Sequence, residues 1–235
     1  MPLPSAADIR AHRLALYETG TVATRTGRTI DTFPIGFRAD DAEVLASLVE
    51  REGARATIET GLGLGLSTLA IIEGARRTHE SPEHTAVDPH QRSWAADAGR
   101  LTLERAGIAD RVRVIEQDSA LALPALITAG ETFDLAFIDG GHRFEVAFLD
   151  TTHALRLVRP GALIVLDDAW MPSIQSVSEY FQTNMHCTRE PVGDHDVDRR
   201  IHVLRTPEPV PDRKWDHFEA FETDFVDRRG EQGLG

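Results

Sequence analysis

The stretch ETGLGLGLST, Glu59 to Thr68, sets three glycines at alternate positions between an acidic residue and a Ser-Thr pair. It follows the strand-like segment ATIET and precedes a helical pattern that we expect to cover residues 67–77. Glycines at a strand-to-helix turn let a ligand approach the backbone, where free N–H groups point at it. The stretch therefore predicts a site for a nucleotide-like ligand.

The glycine spacing excludes two common kinds of nucleotide loop. A dinucleotide fingerprint needs glycines at relative positions one, three and six, but the sixth residue counted from Gly61 is Leu66. A phosphate loop needs a lysine after its last glycine, and none follows Gly65. A carboxylate at Glu59 would repel a diphosphate, so the acid favours a cationic ligand.

The rest of the chain repeats the order of strand followed by helix. Residues 56–184 contain five such alternations, which predict an α/β fold with a Rossmann-like, doubly wound, mostly parallel sheet. Two later segments, HCTREPV and RRIHVLRT, are expected to form an antiparallel pair that completes seven strands, with the polar GDHDVD as a hairpin loop. We place the main domain at residues 56–206.

The two flanking segments are less regular. Residues 1–55 are predicted to be a helical cap, in which TRTGRTIDTFPIGF is either a lid over the site or an irregular connector. The tail, residues 207–235, opens with prolines and then places aromatic residues at helix-like spacing. These residues are Trp215, Phe218, Phe221 and Phe225. We expect the tail to dock on the body or on a second subunit, so a homodimer is possible.

Composition narrows the class of partner. The formal net charge of −13 disfavours nucleic acid and anionic membrane surfaces as partners. No apolar run approaches the roughly 20 residues needed to cross a bilayer. The single Cys187 cannot form an intrachain disulfide, and the N-terminus does not resemble a secretory signal, so we expect a cytoplasmic protein.

Acidic residues end each predicted parallel strand, where ligands of open parallel sheets bind. They are Glu59, Asp88, Asp118, Asp139 and the pair Asp167 and Asp168. As an ordered set, these acids and the glycine loop resemble the class I S-adenosylmethionine-dependent methyltransferases.

That resemblance implies a role for each residue of the cofactor site. Glu59 with the loop residues Gly61, Gly63, Gly65 and Ser67 would hold the methionyl part, Asp88 the ribose hydroxyls, and Asp118 with Ser119 the adenine. The alternative for a single acid such as Asp88 or Asp118 is a cap of the following helix.

The stretches FIDGGHRFEVAFLD and LIVLDDAW resemble the metal-dependent O-methyltransferases, which include catechol-type and antibiotic sugar enzymes. The resemblance implies that Asp139, Asp167 and Asp168 bind Mg²⁺, a cation that prefers carboxylate oxygens. Asp168 could instead cap the next helix, and Trp170 could line the acceptor pocket or pack beneath a loop.

His142 is our candidate for the catalytic base, acting beside Asp139, because neutral imidazole accepts protons near pH 7. Its alternative role is to orient the helix that starts at Arg143. Some sugar-modifying relatives carry an aspartate base two residues after the first metal ligand, but here that position is Gly141. His186, Cys187 and His195 match no zinc spacing.

We therefore predict an O-methyltransferase that acts on a small hydroxylated molecule, such as a sugar or a phenol. The nearest alternative is a metal-independent N- or C-methyltransferase. A nicotinamide-dependent oxidoreductase lacks the required glycine, and a non-catalytic cofactor-binding protein would gain nothing from clustered carboxylates.

Overall fold

The computed structural model describes residues 3–193, 195–209 and 211–223. The chain forms two compact units, one ending at Ala122 and the other beginning at Leu123. The predicted boundaries near residues 55 and 207 stay predictions. In the described residues, no helix is long and apolar enough to span a membrane.

The first unit contains two N-terminal helices, a small hairpin and the first three strands of the main sheet. Its elements are α1 (Ala6–Thr19), β1 (Thr21–Ala23), β2 (Thr29–Asp31), α2 (Ala39–Arg51), β3 (Ala56–Thr60), α3 (Leu66–Thr78), β4 (Glu83–Val87), α4 (Ala98–Arg105), a 3₁₀ turn (Ala109–Arg111) and β5 (Val112–Ile115). The helix α5 (Ser119–Thr128) starts in this unit and ends in the second.

The second unit contributes the remaining strands. Its elements are β6 (Phe133–Ile138), α6 (Phe144–Leu157), β7 (Val158–Leu166), α7 (Pro172–Met185), β8 (Thr188–Glu190), α8 (His195–Asp198) and β9 (His202–Arg205). The main sheet has the order β5-β4-β3-β6-β7-β9-β8. Strand β9 runs antiparallel to both β7 and β8, which confirms the predicted seven-stranded α/β sheet and its closing antiparallel pair.

Parallel pairing brings the strand ends together within each unit. Strands β3 and β4 pair in register from Ala56 with Glu83 to Thr60 with Val87, so Glu59 and Asp88 lie near the same edge. Strands β6 and β7 pair in parallel up to Ile138 with Leu166, so Asp139 and the Asp167–Asp168 pair leave the sheet side by side. This alignment positions the candidate carboxylates at the ends of these four strands.

A buried ion pair attaches α1 to α3. The Arg13 guanidinium Nη2 lies 2.7 Å from Glu73 Oε2, and neither side chain is exposed to solvent. A second carboxylate, Glu43 of α2, lies 2.8 Å from the same nitrogen. Because α3 begins at the glycine loop, these contacts fix the helix that supports the loop.

The prediction that residues 1–55 are mainly helical was wrong for residues 20–38. Thr21–Ala23 and Thr29–Asp31 pair as the antiparallel hairpin β1–β2. Arg25 attaches this hairpin to α4 and to the turn before it, since its side chain pairs with Glu104 of α4 and its backbone N–H donates to Ala96 O at 3.1 Å. The missed signal is the short alternation TVA and TID around a Thr-Gly turn.

The aromatic residues of the tail have helix-like spacing, but no helix forms within residues 211–223. The tail docks on α7 through Asn184, whose side chain donates to Glu219 O at 2.9 Å and accepts from Glu219 N at 2.7 Å. Phe221 makes an edge contact with Tyr180 of α7 at 5.8 Å between ring centroids. The fourth predicted aromatic, Phe225, lies outside the described residues, and the homodimer stays a prediction.

Other predicted elements differ in their bounds. The helix expected at residues 92–107 is shortened to α4, because residues 89–97 form turns in which Asp97 has a positive φ of 59°. The hairpin loop expected between the last two strands contains the single helical turn α8.

His202 of β9 gives the fold a dependence on pH. Burial, and secondarily the charge of Arg189, lower its pKa from 6.5 to about 3. Between those values the unfolded chain binds a proton that the folded chain does not, so stability falls as the pH drops below 6.5, by up to ~1.4 kcal/mol per pH unit. We expect His202→Phe to reduce this acid sensitivity.

The measurement is urea unfolding of both proteins between pH 8 and pH 4. The exposed His90 supplies a matched control, and His90→Phe should keep the wild-type slope. An unchanged slope in His202→Phe would show that other groups cause the acid sensitivity.

Candidate functional site

The glycine loop lies between the end of β3 at Thr60 and the start of α3 at Leu66. Gly61, Gly63 and Gly65 all have positive φ, at 92°, 50° and 82°. Apart from Gly63 and its two neighbours in the chain, no atom of the described residues lies within 4 Å of the position that a Cβ on Gly63 would occupy. The loop therefore presents an open backbone face at Gly63, as a closely approaching ligand requires.

Gly65 faces packed protein instead. A Cβ at this position would lie 3.2 Å from Gly99 O and 3.4 Å from Thr102, both in α4. Gly65 thus allows α4 to support the loop from behind. Alternate glycines in the same motif therefore serve different purposes, one leaving space for a ligand and the other allowing close packing.

Glu59 is fully buried and bonds to the start of α3. Its Oε2 accepts from Ser67 Oγ at 2.9 Å, and its Oε1 accepts from Thr68 Oγ1. The Nε2 atom of His84 in β4 lies 3.2 Å from Glu59 Oε1. These contacts hold the loop and the helix start together, and direct contact of Glu59 or Ser67 with a cofactor stays a prediction.

Asp88 is buried and holds the glycine loop through its side chain. Its Oδ2 accepts from the backbone N–H of Gly63 at 3.0 Å and from Gln91 Nε2 at 2.7 Å. Its Oδ1 accepts from the backbone N–H of His90 at 2.7 Å. Asp88 does not cap a helix, because α4 begins only at Ala98, and its predicted ribose contact stays a prediction.

Asp118 does cap a helix. Its Oδ1 accepts from the backbone N–H of Ala120 at 2.9 Å, next to Ser119 at the start of α5. Asp118 is exposed, so the cap leaves part of the carboxylate accessible. The predicted adenine contacts of Asp118 and Ser119 stay predictions.

In the second unit, three side chains converge beyond the ends of β6 and β7. Asp139, His142 and Asp168 each offer a ligand atom, and these atoms lie within 4.8 Å of one another. It is the one such metal-compatible group found among the described residues. Asp139 and Asp168 were predicted as ligands, whereas His142 was predicted as the base.

Asp167 is not a member of this group. Its backbone N–H donates to Ile138 O at 3.0 Å and so extends the pairing of β6 with β7 by one residue. The chain then turns at Asp168, which has a positive φ of 54°. The geometry thus favours Asp168 over Asp167 as a ligand, and the role of Asp167 stays a prediction.

Trp170 and Ser173 hold two members of this group, Asp168 and His142, in place. The buried Trp170 indole donates from Nε1 to Asp168 Oδ1 at 2.6 Å, which leaves Oδ2 directed at His142. Ser173 of α7 donates from Oγ to the backbone carbonyl of His142 at 2.7 Å. Trp170 therefore orients Asp168, a role that neither sequence interpretation of this residue included.

Two carboxylates determine the charge of His142. Its Nε2 lies 2.6 Å from Asp168 Oδ2 and 3.7 Å from Asp139 Oδ1. The nearby carboxylates of Asp139 and Asp168 stabilise the imidazolium form and together raise the pKa of His142 to about 10. Such an imidazole is protonated at neutral pH and cannot accept a proton until that proton leaves.

The three side chains fit a divalent cation. Two carboxylate oxygens suit Mg²⁺ or Mn²⁺, and a neutral imidazole nitrogen is a common additional ligand for transition metals. A cation between the carboxylates would compensate their charge as the His142 proton does here. If Nε2 were a metal ligand it could not also act as a base, so the geometry makes these two roles alternatives.

The part of the chain that contains both sites matches a known protein family. A methyltransferase-domain model matches residues 58–169, which include the glycine loop and the group formed by Asp139, His142 and Asp168. A protein of Mycobacteroides abscessus named as an O-methyltransferase is 30% identical over 159 residues, which cover 66% of this chain and 68% of that protein.

The chain belongs to the methyltransferase-domain family. Another relative is a catechol O-methyltransferase of Mycobacterium tuberculosis, 36% identical over 134 residues. The match covers 57% of each protein. The chain therefore spans a little over half the length of that relative.

A solved methyltransferase structure shows the same fold. The O-methyltransferase TomG from Streptomyces achromogenes, crystallised with S-adenosylmethionine, is 19% identical and has a TM-score of 0.60. The match covers 85% of this chain and 89% of TomG. At this identity the likeness establishes the fold of the family and does not transfer site residues.

The structure of this family member adds residues that the sequence analysis missed. Two of them contact the glycine loop, Gln91 and Gly99, and a third, His84, contacts Glu59. All three lie in other elements, at least 19 positions further along the chain than Gly65. No periodicity distinguishes them. The only available signal was their nearness in sequence to Asp88, which Gln91 follows by three residues.

Proposed function

We propose that this protein is an S-adenosylmethionine-dependent O-methyltransferase that acts on a small hydroxylated molecule with the help of a divalent cation. The convergence of Asp139, His142 and Asp168 carries this proposal. Membership of the methyltransferase-domain family and the names of the relatives support it.

The chain supplies positions and charges, because the methyl donor carries the reactive group. In the first unit, the open backbone face at Gly63 would take the methionyl part of the donor. In the second unit, Asp139 and Asp168 would hold the cation, with Trp170 fixing the orientation of Asp168. A bound divalent cation would lower the pKa of an acceptor hydroxyl and favour acceptors that offer two neighbouring oxygens.

His142 has one of two functions in this scheme. As a ligand, neutral Nε2 would complete the cation site together with the two carboxylates. As a base, the same nitrogen, after losing its own proton to solvent, would take the proton of the acceptor hydroxyl, and Asp168 Oδ2, which lies 2.6 Å away, would stabilise the imidazolium that forms. In both cases Asp168 positions the imidazole.

The test is an assay of S-adenosylhomocysteine release with the purified protein and a panel of acceptors. We expect turnover with catechols or vicinal diols in the presence of Mg²⁺ or Mn²⁺, weaker turnover with single-hydroxyl phenols, and loss of turnover in EDTA. Activity that survives EDTA would remove the cation from the proposal and favour a metal-independent methyltransferase. Binding of NAD in preference to S-adenosylmethionine would overturn the proposal.

A further inference from the structure

Gln91 occupies an unusual position behind the glycine loop. It lies in the turn-forming segment after β4, and its side chain is fully buried. Its amide Nε2 donates both to the backbone carbonyl of Gly63 at 2.8 Å and to Asp88 Oδ2 at 2.7 Å. The same Asp88 oxygen accepts from the backbone N–H of Gly63 at 3.0 Å.

Two of these three hydrogen bonds satisfy the backbone N–H and C=O of Gly63, and the third joins the two side chains that make them. Gly63 N–H is held by Asp88, Gly63 C=O is held by Gln91, and the two side chains are bonded to each other. Gly63 is also the loop glycine whose Cβ side is open. The bonds therefore fix the peptide orientation at the point where we expect the ligand to approach.

Helix α4 closes the other side of this arrangement. A Cβ on Gly99 would lie 2.6 Å from Gly63 O and 2.8 Å from Gln91 Oε1. A side chain at Gly99 would thus push against the Gln91 bridge and the loop. The fully buried Gln91 side chain thus lies between α4 and the loop.

Stability of the fold does not by itself account for a glutamine here. Gln91 Oε1 is buried and has no hydrogen-bond partner among the described residues. Burying an amide carbonyl without a partner is unfavourable, and an apolar side chain of the same length would avoid that penalty but would lose the bonds to Gly63 O and Asp88 Oδ2. The amide is therefore better explained by the two bonds that its NH₂ group makes to the loop and to Asp88.

We propose that Gln91 is a positioning residue for the methyl donor. It holds the Gly63 peptide and the Asp88 carboxylate in the arrangement that the cofactor binds, before the cofactor arrives. Such preorganisation strengthens binding because less ordering remains to be done in the complex. It acts on ground state and transition state alike, so its loss raises the KM for S-adenosylmethionine and leaves kcat unchanged.

This inference rests on the proposed function, since it requires S-adenosylmethionine to bind at the loop. The test compares wild type with Gln91→Met, which keeps the length of the side chain and removes its donors, and with Gln91→Asn, which keeps an amide that is too short to reach both acceptors. The matched control is Gln182→Met on α7, which also loses hydrogen bonds, here to Ser178 at 3.2 Å.

Two readouts do not require turnover. Calorimetry with S-adenosylmethionine should show about tenfold weaker binding for both Gln91 variants and no change for the control, a loss typical of one or two hydrogen bonds. Amide hydrogen exchange without cofactor should be faster across residues 61–66 in the Gln91 variants alone. The melting temperature of Gln91→Met should stay within about 3 °C of wild type, the shift expected for 1 kcal/mol in a chain of this size.

The outcomes separate this inference from the function on which it rests. Wild-type protein that does not bind S-adenosylmethionine would overturn the proposed function. Wild-type binding together with binding by Gln91→Met within twofold of it would overturn only the role of Gln91. A variant that binds weakly because it is unfolded at the assay temperature would also overturn that role, since Gln91 would then be needed for the fold rather than for the loop.

Discussion

Replacement of Asp139 by asparagine is expected to lower the rate of methyl transfer about a thousandfold, because a cation's contribution to catalysis is several kcal/mol and each 1.4 kcal/mol is tenfold. Asp139 follows β6 and is one of two carboxylates in the only group of the described residues that fits a metal. An amide oxygen carries no charge and therefore binds a divalent cation more weakly than a carboxylate oxygen does. Mg²⁺ or Mn²⁺ affinity, measured by calorimetry, should fall together with the rate.

Asp134 provides the matched control on the same strand. It lies near the start of β6, and its Oδ1 is 3.2 Å from Arg159 Nε in a partly exposed ion pair. Such pairs contribute roughly 0–1 kcal/mol to stability, so Asp134→Asn should keep full activity and cation affinity. Both variants should bind S-adenosylmethionine within twofold of wild type. Full activity in Asp139→Asn would mean that the group formed by Asp139, His142 and Asp168 does not serve the reaction.

Replacement of Gly63 by valine is expected to abolish cofactor binding, a loss of at least a hundredfold in affinity. The φ of 50° disfavours a β-branched residue, and the new side chain would fill the open face of the loop. Backbone strain alone would lower stability by about 1–2 kcal/mol. Calorimetry with S-adenosylmethionine and thermal unfolding would measure the two effects separately.

The control for strain is Gly53, which follows α2. It has a φ of 56°, and among the described residues only Gly53 itself and its chain neighbours have atoms within 4 Å of the position that its Cβ would occupy. Gly53→Val therefore carries a similar backbone penalty away from the loop. Its melting temperature should fall about as much as that of Gly63→Val, while its affinity for S-adenosylmethionine stays at the wild-type value. Equal affinity in both variants would show that the cofactor does not bind at this loop.

Much of the fold could be predicted because its signals are local. Segment ATIET coincides with β3, and the five alternations of strand and helix appear where they were expected, since short apolar runs and helical periodicity are properties of neighbouring residues. The hairpin β1–β2 was missed because its strands are only three residues long. The irregular conformation of the tail was missed because the spacing of its aromatic residues imitates a helix. Tertiary contacts, such as those of Asn184 with Glu219, decide the conformation of the tail.

The candidate site was predicted as a set of residues and not as a set of contacts. The acids at the strand ends were found, because parallel pairing places successive strand ends at one edge. Which of them lies beside Asp139 and His142 was not found, because Asp167 and Asp168 differ only in how the chain turns after β7. A positive φ at Asp168 is a property of the folded backbone, and a pattern of residue types does not specify it.

The sequence by itself determined the α/β class, the glycine loop and the positions of the acids, because each depends on residue type and spacing along the chain. Only the tertiary structure decided that Glu59 bonds to the start of α3, that Trp170 orients Asp168, that His142 lies between two carboxylates and that Gln91 holds Gly63. The physical reason is that these contacts join residues from different elements or depend on one backbone turn. Their geometry exists only after the strands have paired and the helices have packed.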